Sequence, residues 1–191
     1  MADPAIVLTG PPIKLVGQYF SGWAIDRHTM TRPLPEDRSV KTRSPAGELF
    51  YDYRYKGVTR NLSSIVELIS HFVGTLFQKD LKFERLIVVP PPVSRPEYRR
   101  VIELSAALCR SLKIPSAQGV LARNEIIDEE QAEKSGLFAF QSEQSGRLVE
   151  GKIVLVVDDI YRTGKSLESF CRMLKCEANA RELHVVAGTR T

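Results

Sequence analysis

Cysteine is scarce in this chain of 191 residues: Cys109, Cys171 and Cys176 form neither a C-x-x-C pair nor an even set. That excludes a disulfide-built scaffold and leads to the expectation of buried free thiols in a reducing cytoplasm. Long hydrophobic runs are missing too. No window approaches the roughly 18 uninterrupted apolar residues of a membrane span. The opening MADPAIVLTGPPIKL lacks a basic segment followed by an apolar core, so a soluble, cytoplasmic protein without a membrane partner is expected. There is no internal repeat and no low-complexity tract. Charge of one sign is not in large excess either: 27 basic against 23 acidic residues give a net +4. Such a balance suits an anionic ligand such as phosphate but falls short of a nucleic-acid footprint, so nucleic acid is disfavoured as a partner and left open.

What is present is an ordinary globular composition, 43% hydrophobic and 26% charged, enough for one domain with a small appendage. Residues 1–46 are punctuated by Gly10-Pro11-Pro12 and Arg32-Pro33-Leu34-Pro35, so regular structure there must be short, and the stretch reads as an N-terminal cap. In GELFYDYRY the alternation of Leu49, Tyr51, Tyr53 and Tyr55 with Phe50, Asp52 and Arg54 predicts a strand, paired with SVKTR across SPAG. Ser64 to Glu67 has capping-box spacing, and Ile65, Leu68, Ile69, Phe72, Val73 and Leu76 then predict a helix. LIVVP predicts a buried strand, followed by a helix with Val101, Leu104, Ser105, Leu108 and Leu112 inward. QGVLAR is a candidate strand, and residues 124–147, without a persistent period, read as a long mobile loop. KIVLVV, DDIYRTGKS and the face Leu167, Phe170, Cys171 and Leu174 then give strand, turn and helix, closed by a strand from Glu182 to Gly188. Two such units in tandem predict an α/β fold with a central, mostly parallel sheet flanked by helices.

Open α/β sheets place ligands at the carboxyl ends of their strands, which makes VLVVDDIYRTGKSL the segment to weigh. Thr163, Gly164, Lys165 and Ser166 stand where the following helix opens, so backbone N–H groups and hydroxyls converge at its positive end, a fit for a phosphate monoester. Asp158 and Asp159 repel phosphate and suit ribose hydroxyls or a hydrated Mg2+. Ribose and phosphate together imply a ribose 5-phosphate. The rival is the P-loop, whose tail Gly164-Lys165-Ser166 is present. Its leading glycine is not, because Asp159 stands there and would oppose a phosphate chain. A plain helix cap with two acids remains a third option. The three histidines, the single Trp in GWAIDRHTM and the tyrosine stripe 51–55 read as packing residues.

Four apolar residues, Asp-Asp, three variable residues, Thr-Gly, one variable residue and Ser-Leu resemble the 5-phosphoribosyl 1-pyrophosphate (PRPP) motif of type I phosphoribosyltransferases. From about residue 50 onward the chain resembles their ComF-like members, through LIVVPPPVSR, LARNEIIDEEQ and LVEGKIVLVVDDI as well. The resemblance implies a phosphoribosyltransferase-like domain at 47–191 behind the cap of 1–46. It implies that Asp158 and Asp159 hold the ribose hydroxyls and Mg2+, with Asp158, Asp159, Ile160, Tyr161, Arg162, Thr163, Gly164, Lys165 and Ser166 binding PRPP. Pro91, Pro92, Val93, Ser94 and Arg95 would form the pyrophosphate loop, with Arg95 catalytic beside the two aspartates, and Arg123 and Lys134 would belong to a flexible loop over the site. Arg99 and Arg100 are further candidates for the pyrophosphate charge. The paired C-x-x-C of a zinc ribbon is absent, so no structural zinc follows. Arg162 stands where hypoxanthine-guanine enzymes carry an aspartate facing the base, and an arginine cannot accept a proton from purine N7.

The expectation is an Mg2+-assisted pentosyl transferase that binds PRPP or a nucleotide containing ribose 5-phosphate, its acceptor open and a homodimer compatible. The alternatives are a non-catalytic PRPP-binding regulator and an accessory protein of DNA uptake or processing.

Overall fold

The computed structural model describes residues 6–35, 38–77, 86–92, 99–123 and 137–191. Its centre is a five-stranded sheet in the order β1-β2-β9-β8-β5, formed by Ile13–Val16 (β1), Ser21–Arg27 (β2), Leu86–Val88 (β5), Ile153–Tyr161 (β8) and Glu182–Arg190 (β9). All neighbours run parallel except β1 against β2. β8 is apolar from Ile153 to Val157 because helices cover both faces, so the pleat sends successive side chains into two different cores. Val154 and Val156 join one cluster, with Leu167, Phe170 and Leu174 from the helix Lys165–Arg172 and its continuation. Ile153, Leu155 and Val157 join the other, with Phe50, Tyr53, Ile65, Ile69, Leu104 and Leu108. The helices of that second layer are α1 (Pro45–Tyr51), α2 (Asn61–Phe77) and α3 (Arg99–Leu112). The inward residues expected of α2, with Leu104, Leu108 and Leu112 of α3, lie in or against this core, and Val101 and Ser105 are buried as well.

The first 46 residues are more than a cap. β2 lies beside β9 within the sheet, and Leu15, Phe20 and Ala24 are buried in the first core. Only β3 (Thr29–Pro33) and β4 (Ser39–Arg43) stand apart, as an antiparallel hairpin. SVKTR therefore pairs backward with β3, and GELFYDYRY is not its partner strand.

That segment is α1 followed by a π-helical turn, Asp52–Lys56, closed by Gly57 in the left-handed region. The local chemistry overrides the alternation. Ser44 caps the helix by accepting from the Gly47 N–H at 2.8 Å, and Pro45 supplies a preset φ in the first turn. Burial then follows a helical period, with Ala46, Phe50 and Tyr53 inward. Phe50 packs directly over Gly188 of β9, where any Cβ would run into its ring. Burying Phe50 and Tyr53 contributes on the order of 1.5–3 kcal/mol each.

QGVLAR supplies β6 (Leu121–Arg123), which pairs antiparallel with β7 (Phe138–Phe140) outside the main sheet. The end of the expected loop is thus structured, as β7 and the short helix α4 (Glu143–Arg147), capped by Ser142. Residues 124–136 lie outside the described residues. Of the three thiols, Cys109 and Cys171 are buried and Cys176 is exposed, which corrects the expectation for the last.

Candidate functional site

β8, β9, β2 and β5 are parallel, so their carboxyl ends share one edge of the sheet, and there the last four residues of β8, Asp158 to Tyr161, precede the turn into α5 (Lys165–Arg172). Gly164 is the residue before α5 and has φ +74°, a left-handed conformation that glycine adopts without strain. No side chain caps this helix. The N–H groups of its first turn have no carbonyl partners within the helix, the arrangement in which a helix start can accept an anion. Gly164 is needed for space as well, because a Cβ would collide with the hydroxyl and ring of Tyr161.

A cleft of about 510 Å³ gathers Asp158, Ile160, Tyr161, Arg162, Thr163, Gly164, Lys165 and Ser166 with Pro91 and Pro92. Arg54 and Tyr55 of the π-helical turn form the facing wall. Tyr161, Thr163, Gly164 and Lys165 also line a second cleft of about 550 Å³ between the β1–β2 turn and α5, where Glu168 accepts from the Gln18 N–H at 2.7 Å. Val93, Ser94, Arg95 and Lys134 lie outside the described residues. Arg123 is the last residue of β6. Arg99 and Arg100 do not line either cleft; Arg100 sits over the Tyr53 ring and pairs with Glu103 at 3.8 Å.

The two aspartates do not play equal parts. Adjacent strand residues point to opposite faces. Asp158 lines the cleft, half-buried, and its Oδ1 accepts from the Asp159 N–H at 2.9 Å. Asp159 is only 1% exposed and faces away from the cleft. Its Oδ1 accepts from the Ile160 N–H at 2.7 Å and from the guanidinium of Arg54. Its Oδ2 is buried without a hydrogen-bond partner. The expectation that both carboxylates face a ligand is corrected by this pleat. Burial raises the pKa of both above the usual carboxylate range; the charge of Asp159 raises that of Asp158 further, while Arg54 opposes the rise in each.

Arg54 was hidden from the sequence by the strand reading, which set it opposite the tyrosines. The signal was Ser44-Pro45, a cap and a first-turn proline. Once helical, Arg54 follows Phe50 by four residues on the face packed over the strand ends.

No curated protein sequence matches the chain. Among solved structures it is similar to a hypoxanthine phosphoribosyltransferase from Staphylococcus aureus, with 17% identity, 66% of each chain covered and a TM-score of 0.44. It is similar to an HGPRT-ase from Leishmania tarentolae in complex with GMP, with 12% identity, 70% of this chain and 68% of that one covered, and a TM-score of 0.45. A third is a hypoxanthine phosphoribosyltransferase from Trypanosoma cruzi complexed with the product IMP, with 15% identity, 67% and 61% covered, and a TM-score of 0.44. The chain spans about two thirds of the length of these proteins. Fold and cleft define an α/β protein with an uncapped helix start beside a cleft at the carboxyl ends of its parallel strands. The phosphoribosyl transferase domain model matches residues 63–188, and the chain belongs to that family.

Proposed function

We propose that the protein binds PRPP in the cleft at the end of β8 and transfers its 5-phosphoribosyl group, with Mg2+, to an acceptor that the cleft does not name. The observation that carries this reading is the meeting, in one cleft, of a ligand-facing carboxylate, Asp158, with the uncapped helix start at Gly164. A carboxylate accepts from ribose hydroxyls, and the helix start donates to a phosphate. Thr163, Lys165 and Ser166 complete the cradle, Ile160, Tyr161 and Arg162 flank it, and the segment Pro91 to Arg95 is the proposed pyrophosphate loop.

The donor set fits Mg2+ in one form only. No cluster of three or more His, Cys, Asp or Glu occurs among the described residues. Asp159 is engaged with Arg54, which leaves Asp158 as the protein's contact. Mg2+ accepts that, since it keeps waters and takes substrate phosphate oxygens beside one or two carboxylates. Bound there, it would neutralise charge on the leaving pyrophosphate. The protein's own part is to hold ribose and phosphate so that C1 meets the acceptor, converting an encounter into an aligned reaction. Arg162 on the cleft wall disfavours a purine whose N7 must give up a proton to the protein. The ComF-like assignment remains part of this proposal, supported by the quoted segments.

Thermal denaturation tests the reading. PRPP with Mg2+ raises the melting temperature far more than ATP does, and pyrophosphate is released when the acceptor is supplied. Equal stabilisation by ATP would overturn the single-phosphate cradle. Protection by PRPP without turnover across a panel of bases and amines would leave a binding protein rather than a transferase.

A further inference from the structure

We infer that Arg54 is a positioning residue of this site, acting through Asp159 to hold the end of β8 so that Asp158 meets the ribose hydroxyls. The inference rests on the PRPP reading above and adds a residue from outside the family-matched segment, which starts at residue 63.

The argument follows a chain of contacts. Arg54 lies on the π-helical turn Asp52–Lys56, a geometry that is rare and recurs at functional sites. The turn is fixed from several sides. Lys56 bridges Asp52 at 2.7 Å and Glu48 at 3.4 Å, and the Tyr53 hydroxyl donates to the Arg100 carbonyl at 3.0 Å. From that platform the Arg54 side chain, 15% exposed, spans from the cleft wall to the buried carboxylate of Asp159. Asp159 in turn donates its N–H to Asp158 Oδ1, the carboxylate in the cleft. A buried carboxylate without a cation would be strongly disfavoured beside a second carboxylate. Among the described residues Arg54 is the cation paired with it.

A structural ion pair alone would have no reason to reach the cleft. Arg54 lines it, and the pair ends one peptide bond from the ligand-facing acid. The hydroxyl-reading end of the site therefore depends on Arg54, while the phosphate cradle at Gly164 does not.

The experiment measures affinities of the full-length protein for ribose 5-phosphate, 2-deoxyribose 5-phosphate and inorganic phosphate by calorimetry. Wild type should prefer the ribose over the deoxyribose sugar by about tenfold, the worth of one charge-assisted hydrogen bond. In Arg54→Met that preference should fall close to one, with phosphate affinity unchanged, and Arg54→Lys should restore part of it. Should Arg54→Met fail to fold, the double variant Arg54→Met with Asp159→Asn removes the stranded charge, and its preference should also fall close to one. A folded variant that keeps the preference overturns the inference. So does a preference that survives in proportion to the folded fraction, the mark of a purely structural pair. If wild type binds neither ribose 5-phosphate nor PRPP, the reading of the site fails and the inference with it.

Discussion

At Gly164 a single hydrogen atom decides whether the turn into α5 can form. With φ +74° and Tyr161 overhead, valine there is strained and collides at once. Gly164→Val should abolish PRPP-dependent thermal protection and lower stability by about 1–3 kcal/mol. Lys165→Ala, at an exposed position, should cost only about 1 kcal/mol of binding free energy, since the cradle works through backbone N–H groups. Calorimetry on both variants separates this loop from a P-loop, where the lysine dominates. Asp158 shows the opposite trade. Burial and the neighbouring Asp159 charge work against its ionised form. Asp158→Asn should therefore melt higher than wild type at pH 8 while losing ribose 5-phosphate binding. His28 gives the acid side of the stability curve. Burial first, and Arg43 second, lower its pKa below the ordinary 6.5, so the unfolded chain binds its proton more readily. That contribution to stability is complete above pH 6.5 and is lost as pH falls toward the folded-state pKa. Melting curves from pH 7 to 5 should fall less steeply for His28→Gln than for wild type.

Among the elements, those that repeat one period over a long stretch were legible in the sequence. β8, α2, α3 and the segment around Leu167 and Phe170 stand where their apolar spacing put them, because each presents one face to a core that the sheet supplies. The turn between β8 and α5 was legible as a strand-to-helix junction for the same reason, being fixed by the strand before it and the helix after it. GELFYDYRY was not, since tyrosines at every second position mimic a strand while the decisive signal lay outside the run, at Ser44-Pro45. Arg54 vanished from view with it, and the unequal burial of Asp158 and Asp159 needs the pleat that sequence does not display. Ser44 tests the element directly. It is fully buried, caps α1 and donates to the Arg27 carbonyl, tying helix to sheet. Ser44→Ala should cost about 1–2 kcal/mol in chemical denaturation, and should weaken ribose discrimination because α1 carries the turn that holds Arg54.

For the molecule as a whole, the placing of β2 beside β9 makes the N-terminal strands part of the body. Removing residues 1–46 strips one side of β9 and takes Leu15, Phe20, Ala24 and Ile25 from the two cores. A chain beginning at residue 47 should be aggregated in gel filtration and lack a cooperative melt, because a bare apolar strand edge invites pairing with other chains. A monomeric, cooperatively folded fragment would restore the division at residue 46.

The same pairing sets the order in which the fold can be made. Ser21 faces His184 across the β2–β9 ladder, 163 residues further along the chain. During synthesis β2 therefore emerges early and waits, its parallel partner not yet translated, until residues 182–190 have cleared the ribosome. Loops of that length close slowly, and their entropy is lost before the contacts repay it. Collapse of α2, α3, β5 and β8 can precede this step. The interval before β9 inserts is the one in which nascent protein would be most exposed to chaperone binding, and substitutions in β2 should lower cellular yield more than their effect on the finished fold suggests.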